Sequence, residues 1–353
     1  MKQLRDQIIR SGLSALHVTG AHHLLRPFFA GVGNIFMLHH VRPRRDAAFQ
    51  PNHHLEVTPE FLRATLKHVR RLGIDIVSLD EMRRRLVERD FTRRFVCFTL
   101  DDGYRDNRDF AAPVMREFAA PYTVYVASDF ANGIGRLWWV ALERVIAKTA
   151  TVEFTDNGVT RRLDTGTLQG KQAAFVELHE WLRHLPDSGA IHREIGALRQ
   201  RYDVDDSAIS RELCLSWDEL KAFADSDPLL TVGAHTITHD NLAKQSEAAA
   251  RNELTTNRAD IEAALQRPVK HLAYPYGDKL AAGQREFTLA RQAGFDTAVT
   301  TRPGMIFAEN AAHLTALPRI SLNGNYQDER FLPVLTSGTA TALWNRFRRV
   351  DIA

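Results

Sequence analysis

Two adjacent aspartates, two histidines four residues apart and a Tyr-Pro-Tyr-Gly turn are the features of this chain whose types and spacing suit catalysis. Phe98-Thr99-Leu100-Asp101-Asp102-Gly103 ends an apolar run in two carboxylates, and Gly103 lets the backbone turn sharply there. Neighbouring carboxylates at a buried strand end repel unless a cation or a proton separates their roles. The plainer use of the pair is a helix cap beside a solvated acid. Thr231-Val232-Gly233-Ala234-His235 leads into Thr236-Ile237-Thr238-His239, and histidines at i and i+4 converge on one side of a helical turn or within a tight loop. His235, His239 and one aspartate supply three ligands and leave a position open, as catalytic metals require. The other aspartate is then free to serve as a base. Leu272-Ala273-Tyr274-Pro275-Tyr276-Gly277 is a rigid turn that can present a backbone N–H to an oxyanion, or simply an aromatic-lined turn.

These clusters fall at the ends of short apolar runs of the kind that form buried parallel strands. The runs are Ile35 to Val41, Ile74 to Val77, Phe95 to Leu100, Tyr122 to Ala127, Leu230 to Ala234, His271 to Tyr274, Thr297 to Thr300 and Leu317 to Leu322. Helices fill most gaps: Thr58-Pro59-Glu60 and Ser78 open two, and Ser246 opens a third that Pro268 closes. Alternating strands and helices predict an α/β protein, and about seven to eight parallel strands predict a distorted (β/α) barrel. Catalytic groups at the carboxyl ends of the strands fit that architecture.

The expected organisation is a helical segment over 1–34, barrel over 35–127 and 230–325, an insertion within one barrel loop over 128–229, and a tail over 326–353. Leu4, Ile8, Ile9, Leu13 and Leu16 form one apolar stripe on the front helix, for packing on the barrel or lying on a membrane surface. Within the insertion, Asp156-Asn157-Gly158 predicts a hairpin turn between Val152 and Leu163. Trp138 and Trp139 suit either stacking on sugar faces or anchoring an apolar core.

With 46 Lys and Arg against 43 Asp and Glu, the formal charge of +3 gives no footing for a nucleic-acid partner. Cys97 and Cys214 offer neither a disulfide framework nor a CxxC knuckle. No run reaches the length of a membrane span, and Asp6 and Arg10 interrupt any signal-peptide core, so a cytoplasmic location is expected. The arginines at 83–85 and at 346, 348 and 349 read as solvated faces; with the front helix they offer a peripheral contact with anionic lipid.

Taken in order, Thr99 to Gly103, His235 to His239 and Tyr274 to Gly277 resemble the motifs of the polysaccharide deacetylases, carbohydrate esterase family four. Leu38-His39-His40-Val41 is similar to the Tyr-His-x-Val opening strand of many members, and Gly294 to Thr301 and Leu317-Pro318-Arg319-Ile320 add to the likeness. The resemblance spans about residues 35 to 325, the insertion apart. It implies a divalent-metal hydrolase that removes acetyl from an N-acetylated sugar, whether an oligosaccharide, a polysaccharide or a lipid-linked glycan. By position, Asp101 matches the base acting on a metal-bound water, and Asp102, His235 and His239 match the metal ligands. The Tyr276 N–H matches the oxyanion donor, and His39 the acid for the leaving amine. Trp138, Trp139 and Tyr274 are candidate substrate contacts. The ligand set suits Zn²⁺, with Co²⁺, Ni²⁺ or Mn²⁺ as alternatives. Ala273 stands where the family usually carries an arginine that orients the base, which motivates an alternative: a carbohydrate-binding barrel with impaired catalysis. A third reading is a metal-dependent deacylase of a non-sugar amide or ester.

Overall fold

The computed structural model describes residues 2–205 and 208–352, with side chains from residue 6 onward, so Leu4 of the expected stripe has its side chain outside the described residues. Among the described residues twelve strands occur in chain order: β1 (Gly33–Leu38), β2 (His40–Val41), β3 (Glu56–Val57), β4 (Asp75–Ile76), β5 (Phe95–Leu100), β6 (Tyr122–Val126), β7 (Thr151–Asp156), β8 (Val159–Asp164), β9 (Leu230–Ala234), β10 (His271–Ala273), β11 (Thr297–Pro303) and β12 (Leu317–Ser321). Seven of them close a parallel ring, β1-β12-β11-β10-β9-β6-β5 and back to β1. β4 joins as an eighth, pairing with Phe95 and Val96 while β6 takes Phe98 to Leu100. This is a distorted (β/α) barrel.

Strand alternation sorts each run into two environments. On β5, Val96, Phe98 and Leu100 face the surrounding helices, whereas Phe95 and Cys97 share an inner cluster with Ile35, Tyr125, Ala273, Val299 and Leu317. That inner layer fills the barrel and is the platform beneath the site. The helices start where capping chemistry places them. Thr58, Ser78 and Ser246 each accept from the backbone N–H three residues on, at 3.2 Å.

β6 pairs in register with β9, from Tyr122↔Leu230 to Val126↔Ala234, so the chain between them leaves and re-enters adjacent strands. It carries the antiparallel β7–β8 hairpin, turning through left-handed Asn157 and Gly158, and a core of its own that includes Trp138, Leu142, Phe175 and Leu178. At the front, helix Lys2–Val18 lays Leu13, with Ile9 and Leu16, against Phe331 and Val334 of the tail, while Ile8 stays exposed. Among the described residues no helix is long and apolar enough to cross a membrane.

Candidate active site

Four interior-facing positions converge one layer above the barrel core. Continuing the alternation, Ile35 and Met37 lead to His39, Cys97 and Thr99 to Asp101, Thr231 and Gly233 to His235, and Leu317 to Arg319. Asp101 and Arg319 form a two-pronged pair, with Nη1–Oδ1 and Nη2–Oδ2 both 2.7 Å, and each is at most 2% exposed. Arg319 is fixed further by Nη1 donating to Thr99 Oγ1 (3.1 Å) and Nε donating to the Thr300 carbonyl (2.8 Å). Burial pushes the Asp101 carboxyl up, but the Arg319 guanidinium outweighs it and holds the group below its ordinary value, hence ionised. His39 Nε2 lies 3.9 Å from Asp101 Oδ2; burial lowers this imidazole, only partly offset by the two carboxylates.

Asp102 points the other way, because the chain enters the left-handed region at Asp102 (φ 74°) and Gly103 (φ 64°). Its Oδ1 sits 3.4 Å from His235 Nε2 and 3.2 Å from His239 Nε2. The histidines do not lie on a helical turn: residues 235–239 are a loop with left-handed Thr236 and His239. Such strain in non-glycine residues costs about 1–3 kcal/mol each and persists only where surroundings enforce it. Here they do. Glu253 accepts from the N–H groups of Ile237 (2.8 Å) and Thr238 (3.0 Å), and Thr236 Oγ1 accepts from His239 N–H (3.1 Å). Asn257 Oδ1 accepts from His235 N–H (2.9 Å), while its amide donates to the Val126 carbonyl and Ser128.

These three side chains fit a divalent metal. One ligand atom from each of Asp102, His235 and His239 lies within 4.8 Å of the others, and Asp102 Oδ1 is buried with no hydrogen-bond partner. His235 Nδ1 donates to the Ala273 carbonyl (2.7 Å), which leaves Nε2 as the ligand nitrogen. Burial works against charging the His235 imidazole, yet Asp102 and Asp101 raise it overall, so the cluster favours a positive charge in its midst. Burial likewise opposes ionising Asp102, which its two imidazole neighbours nevertheless hold well below its ordinary value. Two His and one carboxylate in an open cleft suit Zn²⁺ and its divalent neighbours.

The cleft has a volume of about 860 Å³ and is lined by His39, Asp101, Asp102, His235, His239 and Tyr276, with Trp138 and Trp139 beside them. Tyr276 is left-handed (φ 60°), and its N–H donates to no protein acceptor among the described residues. Gly277 follows at φ 57°, where a Cβ would lie 2.7 Å from the Thr301 nitrogen, so only glycine permits this turn. Trp138 donates through Nε1 to the Tyr276 hydroxyl (2.9 Å), and burial pushes that phenol up to about 12.

The candidate substrate contacts divide. Trp138 and Trp139 line the cleft but are 3% and 7% exposed, with Trp139 packed against His239, so they build its wall more than they offer open stacking faces. Tyr274 is corrected outright: it is 1% exposed, its hydroxyl donates to the Thr315 carbonyl, and it lies outside the cleft because strand alternation turns it toward the helices. Asp106 and Asn107 brace the opening strand: Asp106 holds His40 Nδ1 (2.7 Å) and Val41 N–H, and Asn107 donates to the His39 carbonyl.

The residue that sequence reasoning passed over is Arg319. It was part of the Leu-Pro-Arg-Ile likeness without a role, although an arginine at an inward position of a buried strand demands a buried carboxylate. Glu253 and Asn257 were equally unassigned, and their signal was polar character on the buried face of helix Glu247–Leu265.

Comparison with known proteins agrees with this geometry. Residues 190–298 match the polysaccharide deacetylase family model. A search of curated proteins finds no match. The fold is similar to the Streptococcus pyogenes deacetylase PplD (TM-score 0.55, 16% identity, 83% of this chain and 92% of that one). It is similar also to IcaB from Ammonifex degensii (TM-score 0.53, 16% identity, 86% and 97%). Residues 190–298 thus match the family that the motifs resemble, and the barrel is the fold of these two solved proteins.

Proposed function

We propose that this protein is a metal-dependent N-deacetylase of an N-acetylated sugar, presented in an oligosaccharide, a polysaccharide or a lipid-linked glycan. The observation that carries the reading is one cleft holding an ionised Asp101, a metal-type cluster of Asp102, His235 and His239, and the unengaged Tyr276 N–H. A bound divalent metal, most simply Zn²⁺, would polarise the acetamide carbonyl and make water a better nucleophile. Asp101 accepts the proton of the attacking water, and its pairing with Arg319 keeps it in the basic form. The Tyr276 N–H donates to the oxyanion of the tetrahedral species. His39, 3.9 Å from Asp101, is placed to return a proton to the departing amine as the C–N bond breaks. Acetate and a free amino sugar result.

Arg319 bears on the binding-barrel alternative, which rested on Ala273: an arginine does pair the base, from a different strand. The test is acetate release by metal-loaded protein from chitooligosaccharides, poly-N-acetylglucosamine and lipid-linked N-acetyl sugars. Turnover is expected on at least one, with Asp101→Asn lowering kcat while metal content stays unchanged. Turnover confined to non-sugar acetamides or O-acetyl esters would overturn the substrate class. Carbohydrate binding without turnover in the parent protein would overturn the enzymatic reading.

A further inference from the structure

An apolar ledge stands beside the mouth of the cleft. Leu24 and Phe28, one helical turn apart on helix Ala21–Phe29, are exposed, Phe28 by 64%. Phe29 of that helix packs its ring 5.6 Å from Phe347, which follows helix Thr339–Trp344. Leu343, Trp344 and Phe347 are also exposed, the last two by 54% and 58%. Exposed large apolar side chains on two segments that meet through Phe29 and Phe347 mark a contact site.

The charge around the ledge selects the partner. Arg346 and Arg348 are exposed and form no ion pair among the described residues, whereas Arg349 beside them pairs with Glu309 at 3.6 Å. The other basic run is paired at every position: Arg83 with Asp296, Arg84 with Glu81, Glu88 and Asp90, and Arg85 with Glu81 and Asp75. Apolar side chains that can enter an acyl boundary, flanked by unneutralised arginines, complement an anionic lipid surface. Trp344, Arg346 and Arg348 moreover line the same cleft as the candidate catalytic residues. We propose that this ledge docks the protein on an anionic membrane, setting the mouth of the cleft at headgroup level. The docking stands on the surface alone. Its corollary rests on the deacetylase reading: among the candidate substrates, the sugar acted on is one carried on a lipid.

Flotation of the full chain with phosphatidylcholine vesicles, with and without phosphatidylglycerol, tests the docking. Binding is expected only to the anionic vesicles, falling as salt is raised. Phe28→Ser with Phe347→Ser should lower partitioning about tenfold or more, and Arg346→Gln and Arg348→Gln about fivefold each. Emission quenched by brominated lipid in the parent protein, and lost in Trp344→Phe, would place the ledge in the bilayer without relying on the paired substitutions. A protein that stays soluble beside anionic vesicles at low salt overturns the proposal, as do variants that partition like the parent. A sedimenting dimer that Phe28→Ser with Phe347→Ser dissociates, with no vesicle binding, would assign the ledge to a second copy of the chain instead. Because flotation needs no substrate, a protein that floats but releases no acetate refutes the deacetylase reading and leaves the docking intact.

Discussion

Replacing Arg319 with methionine is the sharpest perturbation of the site, since it keeps the bulk and removes four hydrogen bonds. Two of those go to Asp101 at 2.7 Å, one to Thr99 and one to the Thr300 carbonyl. Removing one partner of a buried ion pair costs about 3–5 kcal/mol, because the surviving charge, here 2% exposed, is left without its counter-ion. Adding Asp101→Asn exchanges that stranded charge for an under-bonded amide, whose penalty is about 1–3 kcal/mol. The double variant should therefore be about 2 kcal/mol more stable than Arg319→Met alone. The pH dependence has a definite sign. In the parent, Asp101 is held below its ordinary value, so its contribution is present above that value and lost as pH falls through the folded-state value. In Arg319→Met the largest influence opposing burial is gone and only the weaker pull of His235 and His39 remains, so the group rises and the variant's deficit should shrink on acidification. Urea unfolding of metal-free protein at pH 7 and pH 4 measures both effects. A deficit below about 1 kcal/mol at neutral pH, or no recovery on adding Asp101→Asn, would refute the pairing argument.

Other consequences follow from neighbouring contacts. Asp102→Ala and His235→Ala should abolish stoichiometric metal binding, whereas Asn257→Ala, which removes only an outer brace, should weaken it about 10–100-fold; isothermal titration with Zn²⁺ distinguishes the two. Gly277→Ala forces a Cβ to 2.7 Å from the Thr301 nitrogen at φ 57° and should cost about 1–3 kcal/mol in thermal unfolding, with an unchanged melt as the contrary result. His68 is lowered from 6.5 to about 4, first by burial and then by the charges of Arg71 and Arg26. The unfolded chain takes up that proton first, so stability should fall by about 2 kcal/mol between pH 7 and pH 5. His68→Gln should flatten that slope in urea titrations, and an unaltered slope would assign it elsewhere.

How much of this was legible in the sequence depends on whether the information was local. Each strand of the ring announced itself as a short apolar run, and Thr58, Ser78 and Ser246 announced their helices, because capping and burial act within a few residues. The cluster of Asp102, His235 and His239 was readable for a similar reason, as its members lie just past the ends of β5 and β9 in tight turns. The role of Arg319 was not, since its partner lies 218 positions away across the barrel and no local pattern encodes that distance. Tyr274 was misplaced because the motif names residues while alternation decides faces. On β10, Ala273 looks inward and Tyr274, next in line, must look out.

The same alternation explains how Asp101 keeps an arginine although Ala273 stands at the expected place. In a closed ring, a position is defined by its layer and its inward face, not by which strand supplies it. Asp101, His235, Arg319 and His39 are each two or more residues beyond an inward core residue, so any strand with a long side chain in that layer can reach the carboxylate. At β10 the side chain is cut back to a methyl group, and the backbone takes over a different task, its carbonyl fixing His235 Nδ1. At β12 the guanidinium reaches Asp101 over the Tyr125 ring, 6.0 Å below it. A barrel built this way constrains the chemistry of the layer more tightly than the order of its motifs.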